Sequence, residues 1–278
     1  MPELPEVETM RRGIASVKGA TIISVERTAC SRKPIEVSPR IDHFNRRVAG
    51  KQITSVDRLG KRVVLRLDSD ERIILEPRMT GLVLTTDPPT LEHLRFCIHL
   101  NHRQIPEILF WDRRGLGKVA LWTLQQYVEK VQDGSLGPDA LAISFEEFLP
   151  RFKPLSREVK VALLDQGLVA GVGNLYASEI LHLAGVHPQA RCNRISKARW
   201  KSIFDAMKEV LELAIKYEGS TLADGTYRNT LNQDGSFQNQ HRVYDREGEI
   251  CPTCRKDRIK RIVQAQRSTF FCSHCQKK

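Results

Sequence analysis

No apolar run in the sequence approaches the length of a bilayer span, which argues against a helical membrane protein and predicts a soluble chain with no membrane partner. No basic-then-apolar segment opens it either. Acidic residues come first, which argues against secretion and predicts a cytoplasmic location. No internal repeat is visible. Acidic charge is in short supply, with 33 Asp and Glu against 44 Lys and Arg, so the net charge is +11 and the pI is about 9.5. That imbalance points to a polyanionic partner, although a positive balance also serves solubility. Cysteine is sparse except at one place. Cys30, Cys97 and Cys192 are scattered singly, as buried small hydrophobes of a reducing compartment would be. Cys251, Cys254, Cys272 and Cys275 are clustered near the C-terminus.

With 278 residues, 41% of them hydrophobic, the chain suits two domains with separate cores. A helix is expected to start near Pro5, because proline tolerates the first helical position and Glu6 and Glu8 complement the positive end of the helix dipole. Val7, Met10, Ile14 and Val17 carry its apolar stripe. This accounts for residues 5–17 and leaves Pro2 and Glu3 without a role. Residues 20–122 read as β structure, with strands at Ile53–Val56, Val63–Leu67, Ile73–Leu75, His93–Leu100 and Ile108–Trp111. Hairpins in series predict a β-sandwich or barrel-like first domain over residues 2–132. The turn-rich stretch from Gln132 to Pro138 opens a linker over 133–150. Helices are then expected at Phe145–Phe152, Ser156–Leu164, Leu175–Ala184 and Ser196–Tyr217, with Ser156 and Ser196 as N-caps. The polar stretch 218–240 reads as a long loop closing a helical domain over 151–240. The fold class expected is α+β in two domains.

Cys251-Pro-Thr-Cys254 and Cys272-Ser-His-Cys275 are two C-x-x-C pairs with zinc-ribbon spacing. Four thiolates saturate a tetrahedral zinc, so one structural zinc ion is predicted over residues 241–278, with paired disulfides or a redox motif as the alternative. Arg255, Lys256, Arg258, Lys260, Arg261 and Arg267 stud this segment, as befits a hairpin that grips a nucleic acid backbone or, more plainly, a solvated basic surface. In "LLDQGLVAGVGNLYASEI", Gly167, Gly171 and Gly173 join two helices, and Asn174 stands where the second begins. Asn174 reads as its cap. The same glycine turn before free helix N–H groups is also a natural phosphate site, to which Lys160 adds charge.

Three separated signals, PELPEVET at the start, GVGNLYASEI in the middle and RSTFFCSHCQ near the end, together resemble the formamidopyrimidine-DNA glycosylase (Fpg/Nei) family over effectively the whole chain. The resemblance implies a helix–two-turns–helix second domain, a zinc-ribbon hairpin and a monomer. It also implies a nucleoid-associated enzyme acting on double-stranded DNA with a flipped-out damaged base. Loss of the initiator methionine would expose Pro2 as a secondary amine that attacks the sugar C1′. Glu3 would protonate the ring oxygen, Glu6 would hold the terminus, and β,δ-elimination would follow from the Schiff base. By the same resemblance, Lys61, Asn174 and Arg267 contact phosphates around the flipped nucleotide. Arg114 reads the orphaned cytosine, Leu116 wedges between bases, and Met79 fills the rest of the void. Read without the resemblance, Met79 is a core residue and Lys61 an exposed turn lysine. The loop 218–240 would close over the extruded base.

Two positions depart from the family pattern. Leu116 stands where a phenylalanine wedge is usual, and Glu76 of EPRM stands where a phosphate-contacting histidine is usual, so that contact is lost or passes to Arg78. The activity implied is a bifunctional glycosylase and lyase for oxidised purines, chiefly 8-oxoguanine opposite cytosine and formamidopyrimidines. The pyrimidine-preferring Nei branch and a non-catalytic binder of damaged DNA are the alternatives. A ribosomal or transcriptional zinc-ribbon protein leaves the N-terminus unexplained.

Overall fold

Helix α1 (Leu4–Gly13) begins directly after Glu3, its N-cap, with Pro5 in the first turn. Val7, Met10, Ile14 and Val17 are all fully buried. The helix itself stops at Gly13, and the end of the apolar stripe lies in a 3-10 turn, Ala15–Val17. The computed structural model describes residues 2–30 and 32–278, so the expected removal of Met1 lies outside the described residues. The chain divides into two compact units. The first holds residues up to Asp133 together with Ile215–Gln238, and the second holds Gly134–Ala214 with Asn239–Lys278.

The first unit continues with β1 (Thr21–Glu26), β2 (Glu36–Ser38), α2 (Ile41–Val48), β3 (Ile53–Leu59), β4 (Arg62–Leu67), β5 (Glu71–Glu76), β6 (Gly81–Leu84), β7 (Leu94–Asn101), β8 (Glu107–Asp112), β9 (Lys118–Thr123) and α3 (Leu124–Gln132). One sheet has the order β1-β7-β8-β6 and the other β2-β9-β5-β4-β3. Only β2 and β9 pair in parallel among the described strands. One core joins them, drawing Val7 and Met10 from α1, Phe44 from α2, Leu65 from β4 and Phe96 from β7. Such burial, at about 25 cal/mol per Å² of apolar surface, is the main favourable term. α2 falls inside the stretch read as β. Its apolar residues Ile41, Phe44 and Val48 recur at helical spacing, but in eight residues they give too short a signal to stand out.

Residues 218–238 were expected with the helical domain, and the structure corrects this. Ser220 N donates to Glu6 Oε1 (3.0 Å), Thr85 N to the Thr230 carbonyl (2.9 Å) and Asn232 Nδ2 to the Asp87 carbonyl (3.1 Å), so backbone and side-chain hydrogen bonds tie the segment to the first unit.

The second unit contains α4 (Phe145–Phe152), α5 (Val159–Leu163), α6 (Asn174–Leu183) and most of α7 (Lys197–Lys216), followed by the hairpin of β10 (Ile259–Gln264) and β11 (Arg267–Cys272). Ser144 caps α4 in a reciprocal box with Glu147, and Ser196 Oγ accepts from Arg199 N at the start of α7. α4 therefore starts inside the expected linker. Ser156 caps nothing: α5 begins only at Val159, with Glu158 at the N-cap. Phe148, Phe152 and Trp200 pack against one another in tilted and edge-on contacts, all fully buried.

Candidate functional site

Chain termini usually fray, but Pro2 and Glu3 are buried. Glu6, one turn into α1, holds them in place. Its Oε2 accepts from Glu3 N at 2.8 Å, while Oε1 accepts from Ser220 N at 3.0 Å. A single carboxylate thus fixes both the start of the chain and the 218–238 loop. Gly219 is required beside it, because its φ is +78° and a Cβ there would lie 2.8 Å from Glu6 Oε1. Tyr227 locks the loop from within, donating its hydroxyl to the Glu218 carbonyl at 2.9 Å. Burial, with the Glu6 charge adding to it, pushes that phenol well above its usual pKa.

Met79, Arg114 and Leu116 lie on two neighbouring turns. Met79 is 37% exposed, so it is no core residue. Arg114 is exposed and Leu116 half-buried. Sequence reasoning missed the residue that organises both turns. Asp112, at the end of β8, is fully buried. Its Oδ1 accepts from the Thr80 hydroxyl and from Arg114 N (3.2 Å), and its Oδ2 accepts from Leu116 N and Gly117 N, both at 2.7 Å. Thr80 Oγ1 also accepts from Arg114 N at 3.0 Å. Gly115 completes the turn with φ +62°, where a Cβ would strike the Lys33 carbonyl at 2.3 Å. The signal available was an aspartate immediately before a glycine-bearing loop, the usual origin of side-chain-to-backbone turns.

Lys61 sits half-buried in the β3–β4 turn. Arg58 steadies that turn, donating to the Gly60 carbonyl (3.1 Å) and to Glu8 Oε2 (3.1 Å). Glu8 also accepts from Arg11 and Arg12. Burial alone would raise the Glu8 pKa, but the three guanidinium groups outweigh it and hold the carboxyl below its usual value. Glu76 is treated alike. Arg62 Nε reaches one oxygen at 2.9 Å and Arg78 Nε the other at 2.7 Å. Here too burial opposes and the arginines prevail, so the pKa is lowered. The carboxylate that stands at the histidine position is thus neutralised by two flanking cations.

In the second unit, α6 is capped by Gly173, which is extended, and Asn174 is its first helical residue, contrary to the expected side-chain cap. The Asn174 side chain instead accepts from Lys160 Nζ (2.6 Å) and donates to the Ser268 carbonyl (3.0 Å). Of the three glycines before it, only Gly171 has a positive φ. Lys160 is fully buried, donating also to Thr269 Oγ1 (2.7 Å) and the Ser268 carbonyl (3.3 Å). Its ammonium is therefore sealed from solvent among protein acceptors, where the sequence reading had it adding charge to a phosphate site. It ties Asn174 to the strand that starts at Arg267, which is itself exposed.

The four clustered cysteines satisfy the geometry of a single metal ion. Cys251 Sγ lies 3.8 Å from Cys275 Sγ, and Cys254 Sγ 3.7 Å from Cys272 Sγ. A tetrahedron with Zn–S bonds of about 2.3 Å has edges of about 3.8 Å. All four sulfurs lie within 4.8 Å of one another, so they hold one structural zinc ion with no position left open. The Lys256 amide points at Cys254 Sγ (3.4 Å), which helps pull that thiol to about 7. Buried Glu179 of α6 accepts from the amides of Arg242, Val243 and Tyr244, fixing the segment that leads into the ribbon.

The basic hairpin closing on four cysteines suits a protein that grips a nucleic acid. Residues 1–119 match the formamidopyrimidine-DNA glycosylase N-terminal domain, 136–225 the H2TH domain of the same glycosylases, and 248–278 the zinc finger found in FPG and IleRS. Formamidopyrimidine-DNA glycosylase of Chloroflexus aurantiacus is 36% identical, covering 99% of this chain and 98% of that protein. The corresponding protein of Azorhizobium caulinodans is 37% identical over the whole of both chains. Among solved structures, the Lactococcus lactis Fpg bound to abasic-site DNA superposes with a TM-score of 0.86 at 31% identity, covering 99% of this chain and 100% of that one. The MutM (Fpg) protein of Thermus thermophilus gives 0.85 at 34% identity, covering 99% and 98%. The chain belongs to the formamidopyrimidine-DNA glycosylase family.

Proposed function

We propose that this glycosylase of base-excision repair, which removes oxidised purines and like its family also acts as a lyase, uses Pro2 as its nucleophile. The observation that carries the assignment is the tie of Glu6 to Glu3 N and Ser220 N, which keeps a terminal Pro-Glu pair buried and ordered. Once the initiator methionine is removed, the Pro2 nitrogen is a secondary amine. It attacks C1′ of the damaged nucleotide as the C1′–N bond to the base breaks and the base leaves. Glu3 delivers a proton to the ring oxygen as the sugar opens, giving a Schiff base between Pro2 and C1′. The iminium then accepts electrons while the 3′ and the 5′ phosphates leave in turn by β- and δ-elimination.

The damaged nucleotide must leave the stack for this chemistry, at a cost of a few kcal/mol. Arg114 faces the orphaned cytosine, and Leu116 and Met79 occupy the gap. Leu116 offers less stacking surface than phenylalanine. Lys61 contacts phosphate in the first unit, Asn174 and Arg267 do so in the second, and Lys160 acts through Asn174. Arg78 takes the place of the missing histidine, which is supported by its exposure and its pairing with Glu76. The 218–238 loop covers the extruded base. The zinc ion, held by Cys251, Cys254, Cys272 and Cys275, braces the hairpin and supplies no chemistry. Pro2→Gly should lose strand cleavage at 8-oxoguanine opposite cytosine by at least about 100-fold, measured in single turnover. Cleavage at the wild-type rate would remove Pro2 from the mechanism, and faster release of thymine glycol than of 8-oxoguanine by wild type would shift the substrate class to oxidised pyrimidines.

A further inference from the structure

One cluster of ligating side chains lies outside everything used above. On β7, Cys97 and His99 are two residues apart and share one face of the sheet, opposite to Phe96 and Ile98. On β8, Glu107 pairs directly with His99. A residue, its i+2 neighbour and the cross-strand partner of one of them converge on a point above the sheet. Here they do so closely. Cys97 Sγ lies 3.8 Å from His99 Nδ1, and His99 Nδ1 lies 3.1 Å from Glu107 Oε1. All three donor atoms lie within 4.8 Å of one another. Bonds of about 2.3 Å to sulfur and about 2.0–2.1 Å to nitrogen and oxygen put the edges of a tetrahedral zinc site at about 3.3–3.6 Å, so small side-chain adjustments suffice to close it.

A second observation points the same way. The other ring nitrogen of His99, Nε2, faces Glu26 Oε1 at 3.4 Å, and Glu26 pairs with Cys97 across β1 and β7. A histidine that binds metal through one nitrogen usually gives its other N–H to a carboxylate, which orients the ring and raises its basicity. Exposure rises in order: Cys97 is 2% exposed, whereas the side chains of His99 and Glu107 are 28% and 46% exposed. The sulfur forms the floor and the carboxylate the rim, leaving a fourth position toward solvent.

We propose that Cys97, His99 and Glu107 form a second metal site, for a zinc-class divalent transition ion, with Glu26 orienting His99 from behind. Thiolate and imidazole donors select zinc, cobalt or copper over the hard cations magnesium and calcium. Binding replaces the thiol proton, which passes to solvent, with a metal–sulfur bond. The ion bridges β7 and β8 directly and β1 through Glu26, cross-linking three of the four strands of one sheet. The arrangement is independent of the glycosylase mechanism.

The test uses the full-length protein with zinc already in its four-cysteine site. Cobalt(II) is added, with bound metal counted by equilibrium dialysis and zinc release followed by a chromogenic chelator. The expected result is one further equivalent of cobalt, a thiolate-to-cobalt charge-transfer band in the near ultraviolet, and no zinc released. His99→Ala and Glu107→Gln change half-buried, solvent-reachable groups and should each weaken that equivalent by more than about 10-fold. Cys97→Ser should abolish the band, and Glu26→Gln should keep it while weakening binding about 10–100-fold. Wild type that takes up no second equivalent overturns the proposal, and so does uptake that His99→Ala and Glu107→Gln leave unchanged. Strand cleavage of damaged DNA should be unaffected in all four variants.

Discussion

Asp112 in the first unit and Lys160 in the second do the same work with opposite charge. Both are fully buried, and both gather the polar groups of segments that would otherwise have to satisfy themselves in water. Around Asp112 the turn presents N–H and O–H donors, from Thr80, Arg114, Leu116 and Gly117, so a carboxylate answers. Around Lys160 the surroundings present acceptors, from Asn174, Ser268 and Thr269, so an ammonium answers. Which end of the peptide dipole a loop turns inward therefore decides the sign of the buried charge that holds it. Each organiser lies behind the residues proposed to touch DNA: Arg114 and Leu116 in one case, Asn174 and Arg267 in the other. The units differ in one further respect. The second closes its hairpin on four zinc-binding cysteines, whereas in the first the Glu6 carboxylate ties the chain start to the 218–238 loop.

The largest expected effect follows from that difference. Chelating the zinc should unfold the ribbon, because structural zinc in such small modules contributes on the order of 10 kcal/mol. Binding to damaged duplex should fall to the non-specific level while the first unit keeps its circular dichroism signal; full binding after verified zinc loss would contradict the account. Next come the organisers. Asp112→Ala strands several buried donors and should cost about 2–4 kcal/mol. Lys160→Met strands neutral acceptors and should cost about 1–3 kcal/mol. Their functional signatures should diverge. In single-turnover cleavage Asp112→Asn, the milder change, should blur the preference for cytosine over adenine opposite the lesion. Lys160→Met should weaken DNA binding on every sequence alike and lower its salt dependence. Equal effects of both variants on base preference would break the comparison.

A smaller effect concerns pH. Glu8 has its pKa lowered from the ordinary 4.5 by Arg11, Arg12 and Arg58 acting against burial. The stability it contributes is therefore complete above the unfolded value and is lost as pH falls through the lower folded one. Glu8→Gln should reduce stability by about 1–3 kcal/mol at neutral pH, and thermal melts of wild type and variant should converge at acid pH. A gap that persists or widens below the carboxylate range would show the effect to be steric. The smallest effect lies in the β10–β11 turn, where Ala265 and Gln266 both have positive φ without a glycine. Ala265→Gly should stabilise the hairpin by about 0.5–1 kcal/mol, seen as a small rise in melting temperature.

Much of this was legible in the sequence because the signals are local. The α1 stripe, the strands from Ile53 to Trp111, α4 and the tetrathiolate spacing all depend on neighbours a few residues apart. The chemistry at Pro2 and Glu3 was legible only through the family resemblance. What escaped depends on long-range pairing. Asp112 gains its meaning from Thr80, on a turn far away in sequence. Lys160 resembled a surface cation until Thr269 and Ser268 closed over it. The 218–238 loop followed helices in the chain but belongs to the β unit, because its amides and carbonyls find partners at Glu6, Thr85 and Asp87. Glu76 promised repulsion toward phosphate, yet Arg62 and Arg78 surround it.

The most direct measurement is borohydride trapping on a duplex carrying 8-oxoguanine opposite cytosine, using protein whose intact mass shows the initiator methionine removed. The account predicts a covalent adduct that peptide mapping assigns to Pro2. An adduct on a lysine such as Lys61, or none even with an abasic duplex, would contradict it.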